Sequence, residues 1–401
     1  MRVAFINSVV GFGSTGRICV DLASIPDIES RIYYGRKENH TDMDAFRMTT
    51  LFGNIQHAIQ TFLFDKHGFC NGKETERMVE NLIQFNPDII HLHNLHGYYL
   101  NIDVLFAALK NLGKPVVWTL HDCWPVTGHC AYYDKVHCDQ WKIKCESCRA
   151  LSQYPPTWNQ FNFKKNFFRK KSVFNRLDKN QMVLVTPSTW LKNEMMQSFL
   201  NQYTIRVIPN GIDLNVFKRT ESSFREKNHL EEKFVILGCA SYWSAEKGLD
   251  DLKALSYLLS DQQHLIVVGI KDNQQNGFNK EKTTFVKRTN SIQELCELYS
   301  CADVFVNPTF QDNFPTVNLE AQACGTPVVT YNTGGSGESI TEKTGVILDE
   351  KTPESILKSI NDLSKYPLSS QDCMQNSIVY SKENMLNNYL NLYMECVNGL
   401  L

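Results

Sequence analysis

Short apolar runs alternate with amphipathic stretches along the chain, and Gly, Pro, Asn or Asp stand at most junctions. The runs at 2–6, 88–91, 115–120 and 182–186 are too short for helices and too evenly apolar for surface strands, so they predict strands buried on both faces of a parallel sheet. The pattern restarts at 234–239 and recurs at 264–269, 283–287, 304–306, 328–331 and 345–348. Helical patterns fill the intervals: about 17–23, the long stretch 54–85, a helix opened by Pro187 and Ser188, 292–300, a short helix from Pro315 or Thr316, and the end of the chain. A strand–helix alternation that starts twice predicts an α/β chain of two doubly wound domains, with the boundary near Asn210.

The segment 303–338, DVFVNPTFQDNFPTVNLEAQACGTPVVTYNTGGSGE, carries the most chemistry. It reads as strand, polar loop, short helix, strand and glycine turn. Asp312 lies beyond the strand's carboxyl end, and Phe314, Pro315, Thr316 and Val317 form the helix N-terminus, whose free N–H groups and positive dipole end suit a phosphate. Glu320 sits about one turn inside. Carboxylates repel phosphate but accept hydrogen bonds from sugar hydroxyls, so two acids flanking an anion site suit a nucleotide sugar. An ordinary strand–helix loop with one solvated Asp and an exposed Glu produces the same pattern without a ligand.

The run D-N-F-P-T-V-N-L-E-A, followed by A-C-G-T-P-V-V and a Gly-Gly turn, resembles the signature of family-4 retaining glycosyltransferases of the GT-B fold, in which seven residues separate two acids. The resemblance implies two Rossmann-like domains facing across a cleft. The first acid, Asp312, would contact the donor sugar, Glu320 the ribose, and the loop between them the diphosphate. Lys247, in S-Y-W-S-A-E-K-G, matches the family's diphosphate-binding Lys, whose ammonium would neutralise charge on the departing nucleotide. This chain departs from the family with Asp in place of the usual Glu at 312, Pro315 in place of Gly, and Ser241 where relatives often carry Arg. The implied division is an acceptor-binding domain over 1–210, a nucleotide-sugar-binding domain over 211–380, and a last helical segment, 381–401, that packs back on the first domain. No metal is expected to hold the diphosphate, since the helix terminus and Lys247 supply the positive field.

Composition changes this picture little. A 401-residue chain with 42% hydrophobic residues can fill two or three cores, and a net charge of −2 argues against a general nucleic-acid binder. The chain opens on a strand pattern rather than a leader, and no apolar run has the length of a membrane span, which predicts a cytoplasmic protein. Thirteen cysteines then fit reduced thiols.

In the first half, Gly11, Gly13 and Gly16 follow the opening strand as G-x-G-x-x-G. Under the resemblance this loop approaches the donor diphosphate or the acceptor. The alternative is an NADP-dependent oxidoreductase, with Arg36 and Lys37 suited to a 2′-phosphate. His91, His93 and His96 read as core or cleft polar residues. His121, at a strand's carboxyl end, reads from the residues alone as a buried His bonding to backbone, whereas the resemblance implies that it is the family's cleft His, with Asp122 beside it to tune its tautomer. Cys130, Cys138, Cys145 and Cys148 cluster in the stretch 130–148 as a set that four thiolates could use to hold a structural zinc, with two disulfides or free thiols as the other readings. The flanking H-D-C-W-P-V-T-G-H-C resembles a branch of the family associated with bacterial surface polysaccharides, including O-antigen, capsule and exopolysaccharide.

The stretch 158–177 interleaves six Lys or Arg with five Phe and contains no acid. It reads either as a helix lying on an anionic membrane surface or as a core helix with solvated cations. The expectation from the whole sequence is a glycosyltransferase that uses a nucleotide-sugar donor and a lipid-linked saccharide acceptor at the cytoplasmic membrane surface. A nonenzymatic sugar-nucleotide binder is the third reading.

Overall fold

The structure is a computed structural model, and it describes residues 1–39 and 41–399. The chain divides into two compact units, one of Met1–Pro209 with Leu386–Leu401 and one of Asn210–Met385.

The first unit is built on a seven-stranded sheet with β1 (Arg2–Asn7), β2 (Glu29–Tyr34), β3 (Ala45–Arg47), β4 (Ile89–Leu92), β5 (Val116–Thr119), β6 (Met182–Thr186) and β7 (Thr204–Val207). Its spatial order is β3-β2-β1-β4-β5-β6-β7, and every pair is parallel. Each connection is therefore a crossover, and all but the β2–β3 loop contain helices: α1 (Gly13–Ala23), α2 (Leu51–Phe64), α3 (Gly72–Phe85), α4 (Ile102–Leu112), α5 (Asn162–Phe174) and α6 (Thr189–Met196). Strand order reverses direction between β1 and β4, which opens a crevice at the carboxyl ends of those strands.

The helical stretch expected over 54–85 is two helices. Asp65, Gly68 and Asn71 between them all have positive φ, and a Cβ on Gly68 would stand 2.9 Å from the Trp124 ring, so this turn needs glycine. The last helix, introduced below, sends two tyrosines into the first sheet's polar interior. Tyr393 Oη lies 2.6 Å from His91 Nδ1, and Tyr389 Oη lies 2.8 Å from Thr119 Oγ1.

The second unit has a six-stranded parallel sheet of β8 (Phe234–Cys239), β9 (Gln263–Val268), β10 (Thr283–Val286), β11 (Val304–Asn307), β12 (Val328–Tyr331) and β13 (Gly345–Leu348), in the order β10-β9-β8-β11-β12-β13. Its helices are α7 (Phe224–Lys227), α8 (Leu249–Leu258), α9 (Ile292–Cys301), α10 (Thr316–Ala323), α11 (Pro353–Lys365) and α12 (Ser370–Ser377), followed by α13 (Lys382–Val397), which runs from this unit into the first. Side-chain alternation along a strand explains why the central strand β8 is apolar along its length. Val235 and Leu237 of β8 enter the core on one side of the sheet, and Ile236 enters the core on the other. The reversal of strand order falls between β8 and β11, the strands whose following loops carry Lys247 and Asp312. Among the described residues, no helix is long and apolar enough to cross a membrane.

Candidate functional site

The loop after β8 ends in a short turn, 245–247, which is locked onto the loop after β11. Phe310 N–H and Thr309 Oγ1 both donate to Glu246 O, at 2.8 and 3.3 Å. Gly248 makes this contact sterically feasible: its φ is +75°, and a Cβ there would stand 2.1 Å from Pro308 O. The result places Lys247 Nζ 2.6 Å from Asp312 Oδ2, joining two of the predicted residues in one ion pair. Both side chains keep contact with solvent, 38% exposed for Lys247 and 16% for Asp312, so the pair is open to a ligand.

Helix α10 starts at Thr316, on the same loop as Asp312. Pro315 occupies its N-cap and no side chain caps it, so first-turn N–H groups of Thr316 and Val317 are available to an anion. Phe314 is buried, stacked at a tilt against Tyr380 with ring centroids 5.6 Å apart, and its carbonyl accepts from Asn210 Nδ2 at 3.1 Å. These contacts anchor the loop at the residue that precedes Pro315. Glu320 is not on an exposed face: it is 4% exposed, and its Oε2 accepts from Tyr299 Oη at 3.1 Å. Burial, with Cys239 and Glu320 nearby, pushes the Tyr299 phenol well above its ordinary value, so it stays a proton donor to Glu320.

Several site-building residues gave no signal in the sequence. Asn318 accepts from Asn307 Nδ2 at 2.9 Å and donates to Ser336 O at 2.9 Å, while Thr330 Oγ1 donates to Asn307 O at 2.9 Å. This buried network ties the ends of β11 and β12 to α10 and to the glycine turn after β12, and Gly335 N–H closes the ring onto Asp312 O at 3.3 Å. On the same two loops, Gln311 Nε2 and Thr333 Oγ1 are buried without a partner, an arrangement that a polar ligand would relieve. Only the run N-L-E on a helix opening after Pro315 hinted that polar side chains would face inward. Ser241 is exposed, but a cation does reach its loop: Lys271 Nζ lies 5.2 Å from the centroid of the neighbouring Tyr242 ring. A cleft of this unit lined by Arg219, Asp303 and Pro327 among others lies at the opposite ends of the strands, away from these groups.

In the first unit, Gly11 and Gly13 have positive φ and Gly11 N–H donates to Gly16 O at 3.1 Å, which folds the loop tightly at the start of α1. A Cβ on Gly16 would sit 3.2 Å from Gly11 N, and Gly13 has open space around it. Of the two cations at the end of β2, Arg36 lies over the Tyr98 ring and Lys37 over Phe12.

His121 is not paired with Asp122, as its sequence position suggested. Its Nε2 lies 3.0 Å from His93 Nδ1 with the rings stacked 14° from parallel, while Asp122 Oδ2 takes His96 Nε2 at 2.6 Å and its Oδ1 accepts from Trp124 N–H. The alternate residues of one short loop point to opposite sides, so neighbouring positions acquire different partners. Burial pushes the His121 imidazole down to about 4, against a smaller opposing pull from Asp122, and it is neutral at pH 7. His91 and His93 are likewise buried and held well below their ordinary value. They are polar core residues.

The four clustered thiols do come together, since Cys138, Cys145 and Cys148 all lie close enough to raise the Cys130 thiol further beyond the effect of its burial. Yet among the described residues no three His, Cys, Asp or Glu side chains are grouped so as to hold a metal ion, and all four cysteines are free. The basic aromatic stretch is mostly core: Phe163, Phe167, Phe174 and Lys170 are buried. Lys170 Nζ donates to Trp124 O and Thr127 O at 2.8 and 3.1 Å, so the six cations do not form one solvent-facing stripe.

Comparison with known proteins agrees with the division into two units. Residues 220–379 match the family model described as "Glycosyl transferases group 1", and residues 41–216 match "Glycosyltransferase Family 4". The chain is 25% identical over 355 residues to WcaC of Escherichia coli (strain K12), named for a glycosyl transferase role in colanic acid biosynthesis, with 82% of each chain covered. It is also 25% identical over 260 residues, 59% of this chain and 67% of the relative, to an N,N'-diacetylbacillosaminyl-diphospho-undecaprenol alpha-1,3-N-acetylgalactosaminyltransferase of Campylobacter jejuni. Among solved structures, Anabaena Alr3699/HepE in complex with UDP superimposes with a TM-score of 0.68 at 15% identity, covering 98% of this chain and all of the other.

Proposed function

The chain is a glycosyltransferase with the two Rossmann-like domains of the GT-B fold, and we propose that it moves a sugar, with retention, from a nucleotide-sugar donor to a lipid-linked saccharide in the synthesis of a bacterial surface polysaccharide. The oxidoreductase reading of the Gly11–Gly16 loop has no support from either family match.

The observation that carries the proposal is the Lys247–Asp312 pair on the loop that leads into α10, the helix that buries Glu320. The α10 amides and the Lys247 ammonium receive the diphosphate, and Lys247 would leave Asp312 partly or wholly to do so. Asp312 is then released to accept from donor-sugar hydroxyls. Glu320, fixed by Tyr299, accepts from the ribose. The acceptor binds the first unit, where the Gly13–Gly16 loop permits close backbone approach and neutral His121 offers a nitrogen for a hydroxyl proton. The structure of Anabaena Alr3699/HepE is a complex with UDP, and the Campylobacter relative's name specifies a diphospho-undecaprenol-linked saccharide.

The reading is tested by incubating the purified protein with a panel of UDP-, GDP- and TDP-sugars and a polyprenyl-diphosphate-linked saccharide. Mass spectrometry should detect a single added sugar, and NMR of the product should show the donor's anomeric configuration kept. Release of free sugar alone, with every acceptor left unmodified, would contradict it.

A further inference from the structure

Helix α2 is turned inside out. Leu51, Phe52, Ile55, Ile59 and Leu63 fall within about 120° of its circumference, and all five are exposed, Leu51 by 68% and Phe52 by 75%. The face turned inward carries Gly53, His57 and Thr61 instead. That inward face is satisfied by polar bonds: His57 Nδ1 lies 2.6 Å from Asn71 Oδ1, its Nε2 accepts from Gly68 N–H, and Thr61 Oγ1 donates to His57 O. The helix contains no charged residue at all. An apolar stripe of this size left outward on a well-packed helix marks a contact surface.

The stripe continues onto the segment before α5. Trp158 N–H donates to Phe62 O at 2.8 Å and its ring meets Phe62 at 4.7 Å, while Asn162 Nδ2 donates to Phe64 O. This holds Trp158 and Phe161, exposed by 73% and 82%, beside the carboxyl end of α2. Cations border the same end: Lys66 lies over the Phe64 ring, Lys165 is exposed, and Lys164 is exposed in a pair with Glu146. Within 51–71 and 158–177 the one acid, Asp65, is buried against His129, and Glu146 comes from outside these segments.

We infer that this surface docks the enzyme on an anionic lipid bilayer. An apolar stripe with interfacial aromatic rings and a cationic border has the chemistry of a helix lying in the headgroup region. A second copy of the chain fits less well, because a two-fold contact would set the same cations against each other. The inference rests on the reading that the acceptor is lipid-linked, and it supplies the surface that brings the first unit to such an acceptor.

The test is co-sedimentation of the full chain with vesicles of phosphatidylglycerol and phosphatidylethanolamine, compared with phosphatidylcholine alone. The wild type should bind the anionic vesicles, and raising the salt should weaken that binding. The double substitution Ile55→Glu with Ile59→Glu, both at exposed positions, should weaken binding by about tenfold or more while leaving the melting temperature unchanged. Transfer to the same saccharide on a short water-soluble aglycone should also be unchanged. Failure of the wild type to bind anionic vesicles would overturn the inference, as would equal binding by the double variant. A dimer in light scattering that the double variant dissociates would assign the surface to a second copy instead. If vesicles bind and yet no lipid-linked saccharide is ever extended, the acceptor reading fails while this surface stands.

Discussion

Lys247 Nζ and Asp312 Oδ2, 65 positions apart in sequence, meet at 2.6 Å across the point where strand order in the second sheet reverses. Each sits on the loop that leaves one of the two central strands, β8 and β11. Under the proposed function, a phosphate-sized anion at α10 would compete with Asp312 for the ammonium. Lys247→Ala is therefore expected to lower kcat/KM for the donor by about 100-fold or more, the scale of removing one charge-stabilising donor from an active site. Initial rates over a range of donor concentration check this.

Glu320 invites a simple alanine test, but its burial makes that test ambiguous. Glu320→Ala would strand the Tyr299 hydroxyl at a cost of about 1–3 kcal/mol in addition to any loss of ribose contact. Glu320→Gln keeps the volume and an acceptor oxygen for Tyr299. It is expected to raise the donor KM by about tenfold or more through loss of a charged acceptor, with a melting temperature near that of the wild type. A melting curve beside the kinetics separates the two effects.

Gly248→Ala should fail for backbone reasons. With φ at +75° and Pro308 O in the way, the variant must push the 245–247 turn off the β11 loop. The expected cost is more than about 1 kcal/mol of stability, together with loss of donor binding. Chemical denaturation and calorimetric titration with the nucleoside diphosphate measure the two consequences.

Buried neutral histidines make the fold acid-sensitive. Burial holds His57 and His121 at about 4, and His67, His91 and His93 well below 6.5. As pH falls through 6.5 the unfolded chain takes up protons that the folded chain refuses until about pH 4. Stability should therefore be lost progressively from about pH 6.5 downward across this window. Melting temperatures recorded from pH 8 to pH 4 test this, and replacing His57 with Gln should flatten part of the slope.

Strands and their order of appearance were legible where a parallel strand buried on both faces is apolar along its length, as β8 is and as β6 is up to Thr186. The Asp312–Glu320 spacing likewise pointed at α10, since Pro315 leaves few places for a helix to begin. What sequence distance hides is pairing across loops. Nothing near His121 announces that His93 rather than Asp122 will meet its ring, and nothing near Glu320 names Tyr299. Helix α2 hid for a different reason: its apolar positions have helical spacing, and only the packing reveals that they face outward. The cysteine spacing brought four thiols together but did not by itself set them as ligands.

The central claim is that the loops carrying Lys247, Asp312 and Glu320 hold a nucleotide diphosphate. Thermal-shift measurements with UDP, GDP, TDP and NADP at millimolar concentration, on the wild type and on Lys247→Ala, test it most directly. One nucleoside diphosphate should raise the wild-type melting temperature, and that rise should largely vanish in Lys247→Ala. Stabilisation by NADP alone, or an equal rise in both proteins, would contradict it.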